Sequence, residues 1–243
     1  MIQAIEITTQ IGCINCKYCP QEKLIKSYNS DKKTFDFIDF KTCIDKIPDN
    51  IAIHFSGFSE PFLHSNISGL IRYCLPRDIV VYTSLSGITE ETIEKIKDIK
   101  FKKFLVHFPD DSTPYNNKLF YDRLKLLYKH NITVGFAFVG ANAAIYNSNI
   151  EVTQIISRAG NAFTRYRLPG KIQCSRNKIE QPVLLPDGNL YLCCMDYGLQ
   201  HNIGNLLKQN WQQIEESENL KFAYIALENE ELTSICRYCE YAE

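Results

Sequence analysis

Six short runs rich in β-branched and aromatic residues recur along the first two thirds of the chain, at 4–8, 51–55, 78–82, 104–108, 133–139 and 162–168. Longer amphipathic runs separate them, and these predict helices over 36–47, 66–74, 90–99, 117–130 and 152–159. Several begin after a Ser, Thr or Asn able to accept the first free backbone N–H groups, as Thr89 does before Glu90. Strands joined by helical crossovers pair in parallel, so the pattern predicts repeated strand–helix units in a parallel sheet or partial barrel.

Beyond residue 168 the rhythm changes. The runs 183–185 and 190–193 flank Pro186-Asp187-Gly188, which reads as a β-hairpin with Gly188 at the turn position that needs φ > 0. Helices are predicted near 211–217 and 220–227, before a pair of cysteines close to the end. At 243 residues the chain has room for one sizeable domain and a small appendage, and the change of pattern divides it into 1–170 and 171–243.

Ten cysteines accompany an N-terminus without the basic head, apolar stretch and cleavage site of an export signal, so the chain reads as cytoplasmic. Structural disulfides do not persist in a reducing compartment, which leaves metal or redox chemistry as the explanation. A net charge of -1 with mixed signs gives no reason to expect nucleic acid, and no apolar stretch is long enough to span a membrane. The expected ligand is small or uncharged. Cys43 and Cys74 sit on apolar helical faces and read as small hydrophobes without a function.

Cys13, Cys16 and Cys19 fall within seven residues just after the first strand, where α/β folds place their chemistry. Structural zinc normally takes a fourth Cys or His, and the nearest histidine, His54, lies on the next strand. Three thiolates on a cubane iron–sulfur cluster instead leave one iron open to an exogenous ligand. The stretch Ile11-Gly12-Cys13-Ile14-Asn15-Cys16-Lys17-Tyr18-Cys19-Pro20 resembles the cluster loop of the radical S-adenosylmethionine superfamily, with two residues instead of three between its first cysteines. Tyr18 is the aromatic that the resemblance places near the adenine. Ser56-Gly57-Phe58-Ser59-Glu60-Pro61, after the second strand, resembles the family's Gly-Gly-Glu-Pro motif for the methionine ammonium, with Ser59 in place of a glycine. The third strand ends in Thr83-Ser84-Leu85-Ser86-Gly87, similar to the family's Thr-Asn-Gly ending, so Thr83 and Ser84 are expected at the cofactor. Ser157-Arg158-Ala159-Gly160-Asn161 precedes the last expected barrel strand.

Cys174, the hairpin, Cys193 and the terminal Cys236-Arg237-Tyr238-Cys239 resemble the auxiliary-cluster extension called the twitch domain, a truncated SPASM domain. The resemblance implies that Cys174, Cys193, Cys236 and Cys239 hold one auxiliary cluster. Tetrahedral zinc would accept the same four thiolates. Cys194 neighbours Cys193 and competes with it as ligand, although adjacent side chains on a strand face opposite ways. Gly188 spacing favours Cys193.

The resemblance implies a partial (β/α)6 TIM-type barrel with a small C-terminal β-hairpin and helix module. Its implied cofactors are two 4Fe-4S clusters and S-adenosyl-L-methionine, with reducing electrons from a low-potential donor such as flavodoxin or ferredoxin. It implies an oxidoreductase in which a 5′-deoxyadenosyl radical takes hydrogen from a small polar substrate, such as a sugar or aminocyclitol, and an auxiliary cluster accepts the remaining electron. A peptide-modifying maturase and a zinc-binding adaptor are the alternative readings. Arg165 and Arg167, two apart on the sixth expected strand, share a face and are candidates to meet the substrate inside the barrel. His107 and His54, near the ends of strands four and two, are candidates for proton transfer from a substrate hydroxyl.

Overall fold

The computed structural model describes residues 2–14, 16, 19–108, 117–139, 150–153 and 156–243. Five strands lie where the apolar runs predict them: β1 (Ala4–Ile7), β2 (Ala52–Phe55), β3 (Ile79–Thr83), β4 (Lys103–His107) and β5 (Gly135–Val139). The sixth is β6 (Ile150–Thr153), and the C-terminal module adds β7 (Val183–Leu184), β8 (Asn189–Tyr191) and β9 (Asn202–Asn205). All nine form one sheet in the order β6-β5-β4-β3-β2-β1-β7-β8-β9. Neighbours from β6 through β1 to β7 are parallel, and the β7, β8 and β9 pairings are antiparallel. This is the expected partial barrel, left open because the free edge of β1 takes β7 instead of β6.

The position of β6 corrects the sequence reading twice. Residues 162–168 are not a strand, and among the described residues of 152–159 there is no helix, since β6 occupies 150–153 and a turn covers 158–161. The alternation Phe163-Thr164-Arg165-Tyr166-Arg167 imitates a half-buried strand, yet Phe163 and Tyr166 are exposed. With the edge of β5 already paired to β6, this segment runs extended to the module, where Leu168 N–H donates to Arg237 O at 2.7 Å.

The helices are α1 (Gln21–Ser27), α2 (Phe37–Ile44), α3 (Ile67–Tyr73), α4 (Glu90–Glu94), α5 (Asn117–Lys129), α6 (Trp211–Glu215) and α7 (Glu218–Glu228). Asp36 caps α2 by accepting from Ile38 N and Asp39 N at 2.9 and 2.8 Å, and Thr89 caps α4 by accepting from Thr92 N at 3.1 Å. Alternation along the strands then sorts the side chains. Ile5, Ile7, Ile53, Phe55, Val81, Phe104 and Val106 join one buried core with Phe40, Leu70 and Phe120 of the helices. Glu6, His54, Tyr82 and His107 occupy alternate positions on the same strands and face the other way, towards the barrel interior. Cys43 and Cys74 are fully buried in the core, as expected of small hydrophobes.

The predicted hairpin forms. Gly188 has φ +79°, and a Cβ there would come within 2.6 Å of Leu207 Cγ, so both backbone and space require glycine. β9 was not anticipated, because its Asn-Ile-Gly-Asn sequence carries little strand propensity and only pairing with β8 makes it a strand. Arg237 fastens the module from within. Its wholly buried guanidinium donates to Ala226 O at 2.8 Å, Leu227 O at 3.3 Å, Leu168 O at 3.4 Å and Gly170 O, tying the Cys236–Cys239 turn to α7 and to the chain entering the module. Arg237→Ala strands several buried carbonyls and is expected to cost about 3 kcal/mol or more. The loss would appear as a lower urea midpoint with an unchanged slope.

Candidate functional site

The C-terminal ends of β1 to β4 open into a cleft of about 1320 Å³, the solvent at its mouth included. Such a position is where parallel α/β sheets expose loop residues beyond their strand ends. Cys13, Cys16 and Cys19 line it, at the end of the loop that follows β1 and immediately before α1. Burial pushes the Cys13 thiol up to about 12, and the nearby Glu60 charge adds to this. As a ligand it would give up that proton to a cation.

Ser56, Gly57, Ser59 and Glu60 of the second loop, and Thr83 and Ser84 at the end of β3, line the same cleft. Gly57 has φ +63°, and a Cβ would stand 2.4 Å from Thr8 Oγ1, so the loop can lie this close to β1 only as glycine. Glu60 is buried and accepts from Thr83 Oγ1 at 2.6 Å, from Ser84 N and Oγ at 2.7 Å each, and from Phe62 N at 3.2 Å. Burial raises its pKa despite these four donors. The carboxylate thus pins the second loop to the end of β3. Pro61 begins the 3-10 turn Pro61–Leu63 behind the cleft lining.

Deeper in the barrel the cleft is charged. Lys178 Nζ contacts Glu6 Oε1 at 2.7 Å and Gln181 Oε1 at 2.9 Å, while Ser56 Oγ donates to Glu6 Oε2 at 3.1 Å. Burial alone would raise the Glu6 pKa, but the Lys178 charge and hydrogen bonds hold it below its ordinary value. Tyr82 and His107 line the cleft, their ring centroids 6.1 Å apart, with His54 6.4 Å from Tyr82. Burial drives His54 down to about 4 against the pull of Glu6.

Unfolded chains therefore bind a proton at His54 across the interval from its ordinary 6.5 down to about 4 in which the folded chain does not. Stability is expected to fall as pH drops through that interval, by about 3 kcal/mol in full, with Glu6 adding to the loss at still lower pH. Urea midpoints at neutral pH and near the bottom of the interval measure this, and His54→Gln should flatten the slope.

Arg158 enters the cleft from the turn after β6. Arg158 and Ala159 both have positive φ, 53° and 54°, a costly conformation for two consecutive non-glycine residues. The Glu240 carboxylate holds it by accepting from Ser157 N and Ala159 N, and Asn161 Nδ2 donates to Met195 O at 2.8 Å.

A second cavity lies in the C-terminal module, and Cys174, Cys193, Cys236 and Cys239 all line it among mainly apolar neighbours. Burial raises the thiol pKa of Cys193 and Cys236 and pushes Cys239 up to about 12. Four cysteines around one apolar space suit a metal centre that they hold as thiolates. Cys194 turns away from its neighbour and lines the first cleft instead. Among the described residues, no three His, Cys, Asp or Glu side chains are drawn into metal-holding geometry. Lys178 and Met195 line both cavities, so the two share a wall.

The first cleft thus gathers the three N-terminal cysteines, the Ser56–Glu60 loop residues, Thr83, Ser84 and His107. Tyr18 lies outside the described residues. Arg165 and Arg167 do not line the cleft, because their segment is not the sixth barrel strand. Arg165 instead stands 3.8 Å from Glu240, and the Arg167 guanidinium donates to Glu230 O at the surface. Glu6, Arg158, Lys178, Cys194 and Tyr197 reach the cleft without having been expected there. An acidic residue at an alternate position of an otherwise apolar first strand was the available signal for Glu6; the others depend on how the module seats.

A strand-end cleft with three cysteines thus lies beside a four-cysteine module. Residues 174–240 match the SPASM family, an iron–sulfur cluster-binding domain. This bears out the auxiliary-cluster part of the resemblance for the C-terminal module, and the solved structures below share the fold of nearly the whole chain. Among solved structures, BtrN in complex with AdoMet and 2-DOIA is 17% identical with a TM-score of 0.64, the match covering 94% of this chain and 87% of that one. Native anSMEcpe with bound AdoMet is 13% identical with a TM-score of 0.65, over 98% of this chain and 86% of that one. SuiB of Streptococcus suis, bound to precursor peptide SuiA, is 14% identical with a TM-score of 0.65, over 98% of this chain and 70% of that one. A search of curated protein sequences finds no significant match.

Proposed function

We propose that this chain is a radical S-adenosylmethionine oxidoreductase that oxidises a small polar substrate, with one 4Fe-4S cluster at Cys13, Cys16 and Cys19 and a second at Cys174, Cys193, Cys236 and Cys239. The observation that carries this reading is the common wall of Lys178 and Met195, which sets a substrate in the first cleft directly beside the four-cysteine cavity. When bound, the cofactors supply a 5′-deoxyadenosyl radical that takes a hydrogen atom and an acceptor for the second electron.

The chain's own residues bind, orient and shield. Ser56, Gly57 and Ser59 border the place for the methionine end of the cofactor, while Glu60, saturated by Thr83, Ser84 and Phe62, keeps the two loops in register. Thr83 and Ser84 border the same space from β3, and Tyr18 is retained as an adenine neighbour on the strength of the loop resemblance. Glu6, Lys178, Arg158, Tyr82 and His107 offer both charges, a hydroxyl and an imidazole, a lining suited to a sugar or aminocyclitol. Glu6 stays ionised beside Lys178 and orients that ammonium, and His107 is the candidate on this wall to receive a substrate hydroxyl proton. Arg165 positions the Arg158 turn through Glu240 and does not touch substrate.

Reducing electrons would come from flavodoxin or ferredoxin. None of the cysteines is paired in a disulfide, which suits a reducing cytoplasm, and among the described residues no helix is long and apolar enough to cross a membrane. Net charge of -1 suits neither nucleic acid nor anionic lipid. A peptide-modifying reading is favoured by one observation, a fold as similar to peptide-bound SuiB as to BtrN. Anaerobic incubation of the iron-loaded chain with S-adenosylmethionine, a reductant and panels of aminocyclitols, sugars and peptides decides between them. A sugar or cyclitol that loses two hydrogens as 5′-deoxyadenosine forms supports the proposal; turnover of peptides alone overturns it.

A further inference from the structure

Tyr197 belongs to the C-terminal module, yet its hydroxyl lies 3.4 Å from Cys19 Sγ, across 178 positions of sequence. The ring is buried and meets Phe58 edge-on at 4.8 Å, in a small core shared with Leu24 of α1 and Val183 and Leu185 of the module. The loop that carries it is braced by Asp196, whose buried carboxylate accepts from Gln200 N at 3.0 Å and His201 N at 2.7 Å. Cys193 opens this loop and lines the four-cysteine cavity. A second donor reaches the same sulfur: Gln21 Nε2, 3.3 Å from Cys19 Sγ, is itself anchored on Phe58 O at 2.7 Å.

A cysteine that holds iron has lost its proton, so only the hydroxyl and the amide remain as donors. Hydrogen bonds to cluster sulfurs favour the more negative, reduced state and raise the reduction potential. We infer that Tyr197 is a positioning residue of the N-terminal centre, through which the seated C-terminal module raises that centre's reduction potential by a hydrogen bond to Cys19, with Gln21 as the second donor. This rests on the proposed ligand role of Cys19. The structural consequence is that one short loop supplies a thiol to the module's cavity and a hydrogen bond to the barrel's centre.

Tyr197→Phe keeps the ring against Phe58 and removes only the hydroxyl. The measurement is the midpoint potential of the N-terminal cluster by redox titration with electron paramagnetic resonance, in full-length chains reconstituted with iron and carrying Cys236→Ala so that one cluster signal remains. Tyr197→Phe is expected to move the potential to a more negative value by about 30–60 mV, a threefold to tenfold change in the reduced-to-oxidised ratio at fixed poise, with iron content unchanged. Gln21→Leu should shift it in the same direction and serves if the tyrosine variant does not fold. An unchanged potential at equal iron content in the folded variants overturns the inference. Full iron retention by Cys19→Ala instead overturns the ligand reading beneath it.

Discussion

Cys16→Ala is expected to abolish 5′-deoxyadenosine formation while the chain remains folded. Cys16 lines the cleft between Cys13 and Cys19 and lies outside the two main hydrophobic cores, so its loss removes little packing. Two thiolates cannot close around a cubane that already lacks a fourth protein ligand. Iron content of the reconstituted protein should drop by about half, the share of one of two equal clusters. Chromatographic assay of 5′-deoxyadenosine with excess reductant and S-adenosylmethionine reads the activity, and circular dichroism reads the fold. Undiminished cleavage by this variant would exclude the N-terminal loop as the reaction centre.

The second large effect separates the two sulfur-lined spaces. Cys236→Ala should remove the other half of the iron and stop substrate oxidation, yet leave cleavage of S-adenosylmethionine measurable. The reason is spatial: Cys236 lines the module's cavity and not the strand-end cleft, and the two meet only across Lys178 and Met195. Cys194→Ala is the matched control. Although adjacent in sequence to Cys193, it faces the cleft with Glu6 and Lys178 and is expected to retain all the iron. Equal iron loss in Cys194→Ala would show that the module's fourth thiolate has been misassigned. Zinc in place of iron in the unmutated chain would remove the oxidoreductase reading itself.

Much of the site was legible because its components are local in sequence. Three cysteines within seven residues need only one loop after one strand, and Thr83 and Ser84 need only the end of β3. The failures have a common origin in the sheet edge. Thr, Arg and Tyr at 164–167 satisfy the local pattern of a strand, but a strand is completed by its neighbour, and Ile150–Thr153 takes that edge of β5. Arg165 and Arg167 lost their assigned place with it. Glu60 illustrates a subtler gap: its acidity suggested a partner for an ammonium, whereas the fold surrounds it with four donors of its own.

Hydrophobic periodicity and cysteine spacing were enough to read alternating strands and helices and a three-thiol loop, because these follow from side-chain order over a few residues, while the grouping of Cys174, Cys193, Cys236 and Cys239 came from the family resemblance. Which side chains face one another across the barrel was decided by long-range pairing. Only when β7 joins the free edge of β1 do Lys178, Cys194 and Tyr197 come within reach of Glu6 and Cys19, contacts whose sequence separation leaves no trace in local pattern.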